Sequence, residues 1–385
     1  MTSVAATAAE ETDGAGNHVD FDLHGIVGIR VLDARPADVA TLTRQLGPLR
    51  SPLKREPDVT VRFVDELPEQ SPMTYAGWPD CAATDDAFYL LRGRDGVAAR
   101  TRLPVEAIGE RCDIVCERRA GHVPHLLAVV NMTALRRGVL PLHASAFLHH
   151  GKGVLVTGWS KGGKTEVLLA FAARGAHYVG DEWIYLTPDG LMHGVPEPIR
   201  LWGWQLEQLP ELRAQLPSLT RARLRALPAV ATSVAGLAER LGGLPASALR
   251  RTAPLVRRQA NVQIPPARLF GEDALALHGR VDHVLFVASH DRDEIVVEPT
   301  SGASIAARMR SSLEEERGPL LQVYRQFRFL FPGGRCAAID EAPAREHRLL
   351  EQHLAAHPAH VVRHPYPVEL ARLVDPVEAV LHAGP

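Results

Sequence analysis

The chain has 385 residues, of which 46% are apolar and 23% are charged, proportions that are ordinary for soluble globular proteins. This length is sufficient for two domains and a large core. The formal net charge of −2 provides no bulk attraction to nucleic acids or anionic membranes, and no apolar run approaches the roughly 20 residues of a membrane span. We therefore predict a cytoplasmic protein with neither a nucleic-acid nor a membrane partner.

The first 120 residues divide into an acidic tail and a region of short strands. Residues 1–20 lack the basic segment and long apolar core of a signal peptide, so the sequence predicts a disordered tail. From 21 to 120, clusters of Pro, Gly and Asp separate short β-like runs, of which the clearest are 24–32, 59–64 and 87–91. No catalytic spacing is found here, and we predict a small, mixed, β-rich N-terminal domain.

The four cysteines, Cys81, Cys112, Cys116 and Cys336, are scattered along the chain. Cys112 and Cys116 are four positions apart, but no second close pair completes a zinc site. The pattern favours buried thiols over a metal site or a disulfide.

The rest of the chain, 121–385, alternates between strand-like and helix-like segments and predicts an α/β domain. A helical periodicity over 122–137 precedes two β-like runs, 139–147 and 153–157, which a short turn joins as a predicted antiparallel hairpin. The later predicted elements are a helix after residue 165, a β-like region at 176–186, an arginine-rich helical insertion at 205–260, strands at 281–287 and 294–297, helices at 303–328 and 342–356, and a last strand at 360–363.

One segment directly after the strand at 153–157 matches the phosphate-binding pattern G-x-x-x-x-G-K-[ST] without a break. It reads Gly158-Trp159-Ser160-Lys161-Gly162-Gly163-Lys164-Thr165 and leads through Glu166 into a helix-like stretch. The chain has four lysines, and three of them lie within the 13 residues from Lys152 to Lys164, although arginine replaces lysine almost everywhere else. A strand, a glycine-rich loop and a helix in this order predict a site for a nucleoside triphosphate.

This loop would bind phosphate mainly through its backbone. Glycines allow torsions that point successive N–H groups inward, and the N-terminus of the following helix adds positive potential. We expect Lys164 to reach the β- and γ-phosphates of ATP and Thr165 to hold Mg²⁺ through its hydroxyl. Lys161 is either a phosphate ligand or a solvated loop residue, and Trp159 either stacks on a ligand or wedges the loop.

Two adjacent carboxylates, Asp181 and Glu182, lie 17 residues or more beyond Lys164 in the β-like run. Neighbouring side chains on a strand face opposite ways, but a turn or bulge would bring both near the phosphates. They are either a catalytic and metal-binding pair or a solvated pair at a strand end. His143, on the preceding strand of the hairpin, is either close to the γ-phosphate or a buried structural histidine.

The stretch from 143 to 183 resembles the HPr kinase/phosphorylase family, bacterial serine kinases of the phosphoenolpyruvate carboxykinase-like superfamily. The resemblance is carried by His143-Ala-Ser145, Gly153-Val-Leu-Val-Thr-Gly158 with the phosphate loop, Arg174-Gly-Ala-His177 and Gly180-Asp-Glu-Trp183. It implies an α/β fold of α+β character, in which a P-loop kinase domain has the mixed sheet of that family, and it implies ATP and Mg²⁺ as cofactors. The family often forms closed homo-oligomers.

The resemblance also implies roles for the residues around the loop. By position, Asp181 corresponds to the base that faces the acceptor hydroxyl, with His143 in support. Glu182 stands where the family has a second aspartate, which helps to hold Mg²⁺.

Two further segments resemble the family more loosely. Glu197-Pro-Ile-Arg200 looks like a stretched version of its Glu-Ile-Arg-Gly signature, and Ile264-Pro-Pro-Ala-Arg268 is similar to a later Ile-Pro…Arg segment. Arg200, as a catalytic residue, and Arg268 are therefore candidates for clamping phosphate charge, and Glu197 is a further candidate for a contact with phosphate or substrate. The insertion at 205–260, with nine arginines against three glutamates, has no clear counterpart in the compact HPr kinases. It is either a lid over the site or a set of exposed amphipathic helices.

Together these features predict an ATP- and Mg²⁺-dependent kinase that transfers the γ-phosphoryl group to a hydroxyl, with serine of a protein or peptide as the expected acceptor. The departures from the signature make HPr itself an unexpected acceptor. One alternative is a kinase of small-molecule alcohols. A second is a P-loop NTPase or switch that acts with a partner and uses Val281-Asp282 as its acidic strand end. A third is a non-catalytic module that binds nucleotide.

Overall fold

The computed structural model describes residues 18–68, 72–77, 80–84, 87–227 and 260–382. These residues form a mixed α/β fold, as predicted, with an eight-stranded, a six-stranded and a four-stranded sheet and a two-stranded ribbon. None of the helices in this part of the chain combines the length and the apolar character that a membrane crossing requires.

The N-terminal sheet has eight strands in the order β1-β2-β3-β8-β7-β6-β5-β4. Strands β2, β3 and β8 run parallel to one another, and helix α1 (Pro36–Leu46) connects the first two as a crossover. The strands are β1 His18–Leu23, β2 Val27–Leu32, β3 Val59–Val64, β4 Thr74–Tyr75, β5 Cys81–Thr84, β6 Ala87–Arg92, β7 Ala98–Arg102 and β8 Cys112–Glu117. Because β1 begins at His18, the predicted tail is at least three residues too long, and its residues 1–17 lie outside the described residues.

The central sheet has six strands in the order β12-β10-β11-β18-β20-β19. Strands β11, β18 and β20 are parallel, and antiparallel strands flank them on both sides. Strand β11 reads Lys-Gly-Val-Leu-Val-Thr-Gly and is buried from its second residue onwards, which is typical of a parallel strand covered on both faces. The strands are β10 Ser145–His149, β11 Lys152–Gly158, β12 His177–Gly180, β18 His283–His290, β19 Val296–Thr300 and β20 Ala359–Pro365.

Two smaller sheets lie beside the central one. The four-stranded sheet has the order β17-β14-β13-β9, and β15 pairs with β16 as a separate antiparallel ribbon. The strands are β9 Leu140–His143, β13 Trp183–Leu186, β14 Leu191–Gly194, β15 Ile199–Trp202, β16 Asn261–Ile264 and β17 His278–Arg280.

Helices cover both faces of the central sheet. Buried side chains of α3 and α10 share one hydrophobic cluster with β11 and β18. Side chains of α2, α8 and α9 form a second cluster, which continues into the N-terminal sheet. The helices after α1 are α2 Leu126–Arg136, α3 Lys164–Ala172, α4 Gly203–Glu207, α5 Pro210–Gln215, α6 218–227, α7 Ala267–Phe270, α8 Gly302–Leu330, α9 Ala337–Leu354 and α10 Leu370–His382.

Three sequence predictions about these elements need correction or qualification. The predicted strand at 139–147 is two strands in different sheets, since β9 ends at His143 and β10 begins at Ser145. The prediction of a last strand at 360–363 missed α10, whose apolar residues recur at helical spacing and are buried against α3. The insertion is helical up to residue 227, and its remaining residues 228–259 lie outside the described part of the chain.

All four cysteines are buried, as predicted. Burial raises the pKa of the Cys112 thiol to about 12 and that of the Cys116 thiol to about 11, so both are protonated at neutral pH.

Candidate functional site

We call the segment 158–165, which matches the phosphate-binding pattern, the phosphate loop. It connects the end of β11 to the start of α3, and its backbone has three torsions in the left-handed region. These are at Gly158 (φ 150°), Lys161 (φ 64°) and Gly163 (φ 111°). A Cβ atom on Gly158 would lie 2.5 Å from the carbonyl oxygen of Val287, and one on Gly163 would lie 2.0 Å from Nε2 of His364. Only glycine therefore fits at these two positions, and the loop is held tightly against β18 and β20.

The side chain of Lys164 lies folded back into this loop. Its ammonium group donates to the carbonyl oxygens of Gly158 at 3.2 Å and Trp159 at 3.0 Å. Burial lowers the pKa of Lys164, and the nearby carboxylates of Asp181 and Glu182 partly offset that effect. The one buried lysine of the loop thus lies between loop carbonyls on one side and acidic side chains on the other.

The acidic side chains lie where the chain passes between the central sheet and the four-stranded sheet at two neighbouring connections. β9 pairs with β13 in the four-stranded sheet, and β10 pairs with β12 in the central sheet. The first connection is the single residue Ala144, and the second is Asp181-Glu182, whose Glu182 has a φ of 75°. The amide of Ala144 donates to the carbonyl oxygen of Glu182 at 3.1 Å, so the two connections lie side by side.

This double crossing explains why Asp181 and Glu182 both face the loop although they are neighbours in sequence. A regular strand would send them to opposite faces, but the left-handed torsion of Glu182 breaks the alternation. Such a torsion costs of order 1–3 kcal/mol for a residue other than glycine and is concentrated at functional sites.

Asp181 is buried next to the first turn of α3. Its carboxylate accepts a hydrogen bond from the hydroxyl of Thr165, which lies 3.1 Å from Oδ2 and 3.2 Å from Oδ1. It also accepts a short hydrogen bond from the hydroxyl of Ser145. Burial and the negative charge of Glu182 raise the pKa of Asp181 to about 6, although the two hydroxyls and Lys164 oppose the shift. A carboxylate with this pKa is able to exchange a proton near neutral pH.

His143 lies between two carboxylates. Its Nε2 is 3.0 Å from Oε2 of Glu182, and its Nδ1 makes a short contact with Oε1 of Glu316 on α8. The ring also stacks on Trp183, with centroids 5.9 Å apart. Burial by itself would lower the pKa of His143, but the hydrogen bonds to Glu182 and Glu316 raise it to about 9, while the pKa of Glu182 is lowered by the same contact. His143 is therefore an imidazolium at neutral pH.

A further carboxyl group, that of the partly buried Glu197, lies close enough to interact with the charges of Asp181 and Glu182. Burial, followed by the charges of Glu182 and Asp181, raises the pKa of Glu197 to about 8. Its Oε1 is buried and has no hydrogen-bond partner among the described residues. We call Asp181, Glu182, Glu197 and Glu316, together with His143, the acidic cluster.

Glu166, in the first turn of α3, is a separate buried carboxylate on the other side of the loop. Its Oε1 accepts the side-chain amide of Gln205 at 3.0 Å, and burial raises the pKa of Glu166.

The loop opens into a cavity of about 190 Å³, which His143, Asp181 and Glu182 of the acidic cluster also line, whereas Glu197 and Glu316 do not. Its lining residues are His143, Ser160, Lys161, Gly163, Lys164, Thr165, Glu166, Asp181, Glu182, Arg200, Trp202, Gln205 and Tyr366. Arg200 reaches this cavity from β15, and its charge contributes to the lowered pKa of Glu182. Arg268 lies on α7 and does not line the cavity, and the half-exposed Trp159 does not line it either.

The comparisons with known proteins assign this chain to no family. No protein-family model matches this chain, and no curated protein matches it either.

Sequence reasoning missed several residues of the site. Ser145 was part of a recognised segment but had no role, and Gln205 and Tyr366 carried no local signal. Glu316 lies 173 positions beyond His143 on a helix predicted only as an element. Similarly, His364 was not a candidate, although its Nε2 lies 3.0 Å from the carbonyl oxygen of Gly162 and its ring packs beneath Gly163.

The residues that are present fit a phosphate group and a divalent cation. Three left-handed torsions shape the loop at the N-terminus of α3, and Lys164 and Arg200 bring positive charge to the cavity. The hydroxyl of Thr165 and the carboxylate of Asp181 are hard oxygen ligands within 3.2 Å of each other, the chemistry that Mg²⁺ prefers. Glu182 lines the same cavity but is bound to His143.

Proposed function

We propose that this protein is an ATP- and Mg²⁺-dependent kinase with the P-loop fold of the HPr kinase type, and that it transfers a phosphoryl group to a hydroxyl. One observation carries the proposal. A buried carboxylate with a pKa of about 6, Asp181, lies in hydrogen-bond contact with the hydroxyl of Thr165 at the end of a phosphate loop. A site that only binds nucleotide has no need of such a base.

ATP would supply the reactive γ-phosphorus, and Mg²⁺ would neutralise charge on the phosphates. The loop amides and Lys164 bind the phosphate oxygens, and Thr165 and Asp181, with Glu182, are the residues available for the cation. Asp181 accepts the hydroxyl proton as the acceptor oxygen bonds to phosphorus, while the bond to the bridging oxygen breaks and ADP leaves with its electrons. His143 positions Glu182 and balances its charge.

The NTPase or switch alternative receives less support from the geometry. Its acidic strand end would be Asp282, which precedes β18 and accepts the amide of Gly153 at 2.7 Å. Because β11 and β18 are parallel, with Val154 opposite His283 and Gly158 opposite Val287, Asp282 lies at the far end of the strands from the loop. A metal-binding aspartate of that kind belongs at the loop end.

The expected acceptor is a serine in a protein or peptide rather than a free small molecule. The cavity of about 190 Å³ is smaller than the roughly 300–1,000 Å³ of typical small-molecule sites. It suits the phosphate end of a nucleotide together with one extended side chain, while the rest of both substrates lies outside it. A kinase of small-molecule alcohols remains the second candidate.

The test is transfer of label from γ-labelled ATP. The protein is incubated with Mg²⁺, labelled ATP and a cell lysate, and the labelled species is identified. A kinase labels an acceptor, a small-molecule kinase labels a low-mass species, and release of label as phosphate alone would sink the proposal.

The matched variants are Asp181→Asn and Asp95→Asn, since Asp95 is an aspartate whose side chain is 89% exposed. Loss of the base should lower kcat by about 10²–10⁴-fold. ATP affinity, measured by calorimetry, should remain within a few fold in both variants. Equal turnover in Asp181→Asn and Asp95→Asn would overturn the assignment of Asp181 as the base.

A further inference from the structure

A group of metal-binding side chains lies at the other end of β11, where the β10–β11 hairpin meets helix α10. His149 ends β10, His150 begins the turn, and Glu378 and His382 lie one turn apart on α10. Six residues of strand separate this place from the phosphate loop, which is about 20 Å. The phosphotransfer site therefore does not include these residues.

The three imidazoles converge on one carboxylate oxygen of Glu378. Oε1 of Glu378 is 2.9 Å from Nε2 of His149, 3.9 Å from Nε2 of His150 and 3.8 Å from Nε2 of His382. Ligand atoms of His149, His150 and Glu378 all lie within 4.8 Å of one another. Around a tetrahedral ion with bonds of about 2.0–2.1 Å, neighbouring ligands are about 3.4 Å apart. His149, His150 and Glu378 are near this spacing, and the exposed His382, which lies 3.8 Å from Glu378, would rotate toward the two other histidines to complete the set.

The surroundings fix part of this group and leave the rest accessible. His149 is buried, and its ring meets the edge of Phe171 with centroids 4.9 Å apart. The side chains of His150 and His382 are 64% and 59% exposed, which provides a path for an ion from solvent. His150 also has a left-handed φ of 49°, so the tight turn directs the chain back at this point.

We propose that His149, His150, Glu378 and His382 bind one Zn²⁺ ion and thereby fasten α10 to the β10–β11 hairpin. Three imidazoles with one carboxylate suit zinc and not Mg²⁺ or Ca²⁺, which prefer oxygen ligands. Lys152 already donates to the carbonyl oxygen of Leu381 at 2.8 Å across the same junction. Because α10 packs against α3, the ion would brace the helix that follows the phosphate loop.

The test is zinc binding by the full chain without a histidine tag. The protein is freed of metal with a chelator and titrated with ZnCl₂ by calorimetry in excess Mg²⁺, which occupies oxygen-rich sites. We expect one equivalent of zinc and a higher Tm when zinc is added. Replacement by Co²⁺ should give the visible absorption of tetrahedral coordination.

Two variants decide the assignment. His382→Ala removes an exposed ligand and should lower zinc affinity by at least about 10–100-fold. The matched control is His347→Ala, since His347 forms a similar one-turn pair with Glu351 on α9, with 3.6 Å between Nε2 and Oε1. Zinc affinity that is unchanged in His382→Ala, or equally reduced in His347→Ala, overturns the proposal, as does a Co²⁺ spectrum of octahedral type. If either variant fails to fold, its thermal transition will be absent. Glu378→Gln is then measured instead, and its zinc affinity should fall by the same factor.

Discussion

The phosphate loop and three residues of the acidic cluster line one cavity, but the two features are built in different ways. The loop is eight consecutive residues between one strand and one helix, and its shape depends on glycine torsions. The acidic cluster combines β9, the connection at 181–182, the segment before β15 and the long helix α8. The comparison teaches that the shape of the loop is a local property of this chain, whereas the pKa values in the acidic cluster are a property of the packed molecule.

Lys164→Met is the largest expected disruption of the loop. It removes the one buried cation between the loop carbonyls and the carboxylates, so kcat should fall by about 10²–10³-fold. ATP affinity should fall as well, measured by calorimetry. Lys54→Met is the control, because Lys54 is an exposed lysine of the N-terminal region. A Lys164→Met variant with the kinetics of Lys54→Met would remove the loop from the mechanism.

Gly163→Ala tests whether the loop shape depends on glycine. The variant must accept a φ of 111° and a Cβ 2.0 Å from Nε2 of His364. We expect a loss of roughly 2–4 kcal/mol in the free energy of unfolding, from backbone strain and overpacking, together with weaker ATP binding.

The matched control for this change is Gly175→Ala. Gly175 has a φ of 72°, but a Cβ there meets nothing within 4 Å. Its cost should be limited to about 1–2 kcal/mol of backbone strain, measured by urea denaturation. Equal losses in both variants would mean that the contact with His364 does not shape the loop.

The acidic cluster should determine how kcat/KM depends on pH, and the changes expected here are the smallest of these predictions. Because the pKa of Asp181 is raised to about 6 and the base must be ionised, kcat/KM should increase as pH rises through about 6. Asp181→Asn should lose this limb of the profile. A profile that is flat from pH 5 to 7 would contradict the assignment of the base.

His143 should affect stability at higher pH. Its folded pKa is raised from 6.5 to about 9, so its ion pairs stabilise the protein fully below about 6.5, and this stabilisation is lost as pH rises through about 9. Relative to His143→Gln, the wild type should be more stable by roughly 1–2 kcal/mol at neutral pH, after allowance for the half-exposed Glu182. The difference should shrink by pH 10, measured by thermal denaturation.

Much of the site could be predicted from the sequence because it follows from short-range rules. The order of strand, glycine loop and helix is encoded within 152–172, and the turn between β10 and β11 predicts their hairpin. The adjacent acids Asp181 and Glu182 were recognised as a pair, but their shared orientation was not. It depends on two strands changing sheets side by side, for which 139–147 and 176–186 give no local signal.

The sequence by itself determined the mixed α/β class, the location of the phosphate loop and the identity of its lysine, because backbone torsions and hydrophobic periodicity are local. Only the tertiary structure decided that Glu316 lies next to His143, 173 positions away, and His364 next to Gly162, 202 positions away. It also decided that Arg268 does not line the cavity. The physical reason is that pKa values and ion pairs depend on distance and burial in space. Neither quantity can be read from the spacing of residues along a chain.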